Sequence, residues 1–92
     1  MSDSQAAVSD EEYLRTVAGR TRTIRRAREL SQRQLAEASG VSRSFIAGFE
    51  RGRHSIDLLR LRRLTLALET TVEALVRGID ESSDGNNAPA ST

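Results

Sequence analysis

Apolar residues recur along this chain at the three- and four-residue spacing of helices, and no stretch alternates as a half-buried strand would. Five helices are predicted, each with a readable start. Ser9 and Glu12 have the spacing of a capping box, and Val8 and Tyr13 stand at the two staple positions, so a first helix begins after Ser9. Its apolar side runs through Leu14, Val17, Ala18, Thr21, Ile24 and Ala27, a thin stripe interrupted by Gly19 that predicts loose packing in the first turns. A second box, Ser31 with Gln34, opens the next helix, which Gly40 ends. Only Gly40 and Val41 precede Ser42, the cap of a third helix, and so tight a turn makes the two helices cross steeply. Gly52 stops this third helix. Asp57 then caps a fourth, with Leu61, Leu64 and Leu68 inward, and Thr71 caps a fifth that ends at Gly78.

The predicted fold is therefore all-α, a five-helix domain over residues 9–78. Residues 1–8 and 79–92 are small, polar and acidic overall, and read as disordered tails. At 92 residues and 37% hydrophobic content there is room for one compact core. With no cysteine, neither a disulfide nor a thiolate metal site is available to hold it. No apolar run approaches a membrane span, and the start MSDSQAAVSDEE is acidic where a signal peptide would be basic and then apolar, which points to the cytoplasm.

Charge changes the picture more than composition does. All 14 basic residues are arginines between Arg15 and Arg77; set against the six acids of that segment they leave it at +8, while residues 1–14 carry −4 and residues 79–92 carry −3. A basic body with acidic ends suits a polyanionic partner. Enzyme chemistry has little support. The serines occupy caps, no base and orienting acid accompany them, and the single histidine, His54, has no cysteine or clustered acids with which to hold a metal. It reads as a solvent-exposed or phosphate-proximal loop side chain. No cofactor or small-molecule motif appears.

The run LSQRQLAEASGVSRSFIAGFERGRHSIDLLRLRRLTLALETTVEALV resembles the helix-turn-helix domain of the Cro/repressor, or Xre, family. The agreement spans about residues 17–78, at Leu30-Ser31-Gln32, Leu35-Ala36, Gly40-Val41-Ser42, Ile46, Glu50-Arg51-Gly52, Ala67-Leu68 and Thr71 to Val76. The resemblance implies a lambda-repressor-like fold in which residues 42–51 form a recognition helix that enters the major groove of double-stranded DNA. The helical wheel agrees, since Phe45, Ile46 and Phe49 share the inward face and leave Arg43, Ser44, Ala47 and Gly48 to meet base edges. Arg43 suits guanine O6 and N7, and the Ala47 methyl suits thymine. Gly48 disfavours a helix by roughly 1 kcal/mol relative to alanine; with Ala47 it is expected to remove bulk so that the helix can approach the bases closely.

The family also implies a phosphate contact for Gln32, and Ser42, Arg51, Arg53 and Ser55 are expected to add others. Arg20, Arg22, Arg26 and Arg33 read as a general basic field. Arg25 and Glu50 match the positions of an ion pair between the first and third helices and read as structural. Small domains of this kind pair two half-sites about one helical turn, ~34 Å, apart, so a homodimer on a partly palindromic operator is expected. Its interface is assigned to Leu66, Thr70, Val72 and Val76. Four positions depart from the family pattern. Thr21 replaces a large aliphatic, Glu29 and Glu69 stand where glycine is frequent, and Gly48 stands where a polar reader is common. The implied function is transcriptional regulation, in the setting of a restriction-modification controller or a small Cro-like repressor; an antitoxin or a protein-interaction adaptor on the same fold is the alternative.

Overall fold

The computed structural model describes residues 7–80, in the order α1 (Asp10–Ala27), α2 (Gln32–Ser39), α3 (Arg43–Glu50), α4 (Leu58–Ala67) and α5 (Val72–Val76). Every predicted start has its cap in place. The Ser9, Ser42 and Thr71 hydroxyls accept from the backbone N–H three residues on, as does the Asp57 carboxylate, and Ser31 with Gln34 makes the full reciprocal box. Each such cap stabilises its helix by about 1 kcal/mol where the group is shielded. Among the described residues no helix is long and apolar enough to cross a membrane.

α1 runs unbroken through Gly19 and forms the back of the domain. Val17, Ala18 and Thr21 are buried from it, whereas Ala27, expected on the same stripe, is exposed because the stripe turns away before the last turn. Thr21 sits fully buried where an aliphatic was the usual choice, and its hydroxyl donates to the Val17 carbonyl at 2.9 Å, which removes the cost of burying it. α2, α3 and α4 close over this helix with Leu35, Val41, Ile46, Phe49, Leu61, Leu64 and Leu68, and α5 adds Leu75.

Two boundaries shift. Gly78 does end α5 in the left-handed region, but Ile79 behind it turns back and is buried in the core, so the domain continues past 78. At the other end Val8 packs on the core, and its N–H donates to Asp80 Oδ1 at 3.1 Å, tying the two ends of the domain together. The rest of the expected tails, residues 1–6 and 81–92, lies outside the described residues.

Glu29 and Glu69 both adopt positive φ, +60° and +57°. Each follows a helix at the position where a Schellman turn requires left-handed backbone, with Leu30 N–H donating to Arg25 O and Thr70 N–H to Thr65 O. Glycine is the residue that takes this conformation without a Cβ penalty. Arginines from α1 and its C-cap reinforce two helix ends. Arg28 donates to the Leu68 and Glu69 carbonyls after α4, and Arg20 donates to the Leu75 and Arg77 carbonyls at the end of α5. Arg20 is thus a structural cap, not part of the general basic field.

Candidate nucleic-acid interface

Gly40 takes the left-handed conformation that lets α2 stop and α3 begin within three residues. Ile46 and Phe49 then fix α3 to the core, and the opposite side of the helix faces outward. Arg43 and Ser44 are exposed on its first turn, and Ala47 and Gly48 are half-buried on the turn that follows. Phe45 is not a core anchor of the same kind, because it is only half-buried. The Arg60 guanidinium lies 4.5 Å over its ring and the His54 ring centroid stands 4.6 Å away.

The sides of α1, α2 and α3 that meet beside this helix are joined by one polar network. Arg25 Nε donates to Glu50 Oε2 at 2.8 Å and its Nη2 to Oε1 at 3.0 Å, a two-point pair whose side chains are 9% and 2% exposed. Gln32 Nε2 donates to the same Oε1 at 3.0 Å, and Arg25 Nη1 donates to the Leu30 carbonyl at 2.7 Å. Glu50 is thereby tied to both other helices, and the start of α2 is held against the end of α3. A catalytic carboxylate would need a free face, which this one does not have.

The network forms the floor of a basic hollow. Arg22, Arg26 and Arg51 line it together with Gln32, and Arg33 and Arg43 line its neighbour with Ser31 and Gln32. Ser31 N–H is bonded within the capping box, as is that of Gln34, which leaves the Gln32 and Arg33 N–H groups as the outward donors of the first turn of α2. Five guanidinium groups around the N-terminus of a helix make a strongly anion-attracting surface. Gln32 offers it less than expected, because one amide hydrogen is committed to Glu50 and the side chain is fixed.

Arg51, Arg53 and Ser55 are exposed in the segment that follows α3, and Ser42 is exposed at its start with its Oγ accepting from Phe45 N–H. Arg22 and Arg26 are the cationic residues that charge counting left undistinguished. Their four-residue spacing puts them on one face of α1, but only the docking of α3 brings Arg51 to them. The expected bareness of Gly48 is corrected. The His54 imidazole lies over it, so the space outside the glycine is filled by a side chain of the protein itself. No group of three histidine, aspartate or glutamate side chains gathers for a metal ion among the described residues.

Of the residues assigned to a partner copy, Leu66 is 61% exposed, Thr70 is half-buried, and Val72 and Val76 pack partly against the domain's own core. Leu59, 63% exposed, lies two helical turns before Leu66 on the same face of α4, with Arg62 and Arg63 beside it.

Residues 22–75 match a family model described as helix-turn-helix, HTH_3. The chain is 43% identical over 61 residues to the immunity repressor protein of Bacillus phage phi105, a match covering 66% of this chain and 42% of the repressor. It is 40% identical over 60 residues to the control protein C.SmaI of Serratia marcescens, covering 65% and 71% of the two chains. The fold is similar to that of the restriction-modification controller protein C.AhdI of Aeromonas hydrophila, with a TM-score of 0.65 and 37% identity over 67% of this chain and 94% of that one. An HTH_3 family transcriptional regulator from Vibrio cholerae superposes with a TM-score of 0.69 at 25% identity, over 83% of this chain and 40% of the regulator. Measured on the first of these relatives, the chain spans less than half of the protein it matches.

Proposed function

This chain belongs to the HTH_3 helix-turn-helix family, and from that premise we propose that it is a sequence-specific DNA-binding transcriptional regulator which inserts α3 into the major groove. The observation that carries the reading is the placement of α3 beside the basic hollow. Arg43 and Ser44 project from the first turn of α3, and the start of α2, ringed by Arg22, Arg26, Arg33, Arg43 and Arg51, stands next to it. Phosphate held in the hollow would fix register, and Arg43 and Ser44, with the Ala47 methyl, would read bases. Gln32, Ser42, Arg53 and Ser55 supply further backbone contacts.

The regulator binds as a homodimer, with Leu66, Thr70, Val72 and Val76 at the interface. The exposed Leu66, with Leu59 on the same face of α4, supports that assignment. A Leu66→Glu variant should sediment as a monomer at concentrations where wild type dimerises, and an unchanged association constant would remove Leu66 from the interface. The setting we favour is a restriction-modification operon, because the proteins it resembles include both the control protein C.SmaI and the restriction-modification controller protein C.AhdI.

Selection of binding sites from random duplex DNA tests the main reading. Wild type should return a partly palindromic site with half-sites one turn apart, and Arg43→Ala and Ser44→Ala should each relax the preference at one or two base pairs per half-site. Full sequence preference in both variants would refute the assignment of readers. The absence of any preference or salt-dependent binding in wild type would refute the regulator.

A further inference from the structure

A Cβ built on Gly48 would stand 2.5 Å from His54 Nε2 and 3.0 Å from His54 Cδ2. The imidazole therefore occupies the space in which a side chain at position 48 would begin. It reaches there from the loop after α3 and is held on several sides. Its ring tilts at 50° against Phe45, and its Nδ1 lies 3.0 Å from the Ser55 carbonyl oxygen. Phe45 in turn carries Arg60 on its ring, and Asp57 holds the Arg60 guanidinium at 2.6 Å.

A carbonyl oxygen can only accept, so the Nδ1 contact places a ring proton on Nδ1, and in the neutral imidazole Nε2 then keeps its lone pair. Nε2 is the ring atom nearest Gly48, on the outward side of α3 one turn beyond Ser44. We propose that His54 is a base-reading residue, presented across Gly48 in place of a side chain from position 48. The proposal rests on the reading that α3 enters the major groove. An acceptor at this place complements an exocyclic amino group, N6 of adenine or N4 of cytosine, and repels the acceptor edge of guanine. Gly48 is then required because any Cβ evicts the ring, not because the helix backbone must itself touch DNA.

The test is binding of the full chain to its selected operator and to every single-base-pair variant of it, with folding checked by thermal unfolding. His54→Ala should lose about tenfold in preference at one A·T or C·G pair per half-site. Gly48→Ala, which keeps the imidazole but displaces it, should lose preference at that same pair, and the double variant should be no worse than either single one. His54→Gln, whose amide oxygen can reach the place of Nε2, should retain most of the preference. The proposal is overturned if His54→Ala discriminates every base pair as wild type does, or if it weakens operator and random DNA equally. It is also overturned if the Gly48 and His54 losses fall at different pairs or add. Failure of wild type to prefer any sequence is a different outcome, which refutes the groove reading beneath it.

Discussion

Replacing Arg25 with methionine would remove the guanidinium and keep much of the side chain's volume, leaving Glu50 charged and 2% exposed with Gln32 as its remaining partner among the described side chains. Arg25 makes three hydrogen bonds, two to Glu50 and one to the Leu30 carbonyl. Stranding one partner of a buried pair costs about 3–5 kcal/mol, and the basic hollow next to Glu50 admits water, so the lower end, about 3 kcal/mol, applies. A domain of this size is stable by roughly 4–11 kcal/mol. The loss should appear in urea or thermal unfolding followed by helical circular dichroism as a fall of roughly 12–24 °C in Tm. The decisive comparison is with Arg25→Met, Glu50→Leu. That double variant removes both charges, so it should recover at least about 1 kcal/mol relative to Arg25→Met and retain the loss of the bonds from Arg25 to Leu30 and from Gln32 to Glu50, about 1–2 kcal/mol. If Arg25→Met lowers stability by under about 1 kcal/mol, or if the double variant is less stable than wild type by the sum of the two single losses, the pair is not what holds α1 to α3.

Glu29→Gly and Glu69→Gly should each raise stability by about 0.5–1 kcal/mol, because relief of a left-handed Cβ outweighs the added freedom of the unfolded chain; the Arg28 contact to the Glu69 carboxylate, 3.8 Å and exposed, contributes little against this. Equal or lower urea midpoints in both variants would contradict it. The Asp57 carboxyl is held below the ordinary aspartate value by the Arg60 backbone N–H and then by the Arg60 guanidinium. Its contribution is therefore complete above the unfolded-state value and is lost as pH falls through the lower folded value. Asp57→Asn should lose less stability than wild type over that acid window, and unfolding midpoints that run parallel in the two proteins would show otherwise. With Arg22, Arg26, Arg33, Arg51 and Arg53 as the candidate phosphate contacts of one protomer, log K against log salt should have a slope no steeper than about −4.5 per protomer. A steeper slope would mean that arginines placed elsewhere also meet DNA.

What could be read from the sequence was mostly local. A cap needs two residues three apart, so Ser9, Ser31, Ser42, Asp57 and Thr71 were legible, and the core periodicity of α2 to α4 followed from them. Ile79 is buried although the left-handed Gly78 before it reads as the end of the domain. A left-handed glycine is often followed by an apolar residue that folds back on the helix, and that rule would have included it. The Arg25–Glu50 pair, 25 residues apart, is legible through a family resemblance and not through any spacing, and the bond from Gln32 to the same carboxylate leaves no mark in the sequence.

The arginines show why the remainder was hidden. Charge counting treats all of them as field, but a guanidinium is also the side chain best able to reach carbonyl oxygens across a small domain. Arg20 and Arg28 span 57 and 41 residues to cap α5 and α4, Arg25 holds Glu50, and Arg60 lies between Asp57 and Phe45. None of these partners is near in sequence except Asp57, so no window of residues distinguishes them from Arg22 or Arg51. The same reason conceals His54. Its place over Gly48 depends on the turn at Gly52 and on the docking of α4, which supplies Arg60 to Phe45. The glycine was conspicuous as a flaw in a helix; the residue that explains it lies six positions later, where a wheel of α3 cannot show it.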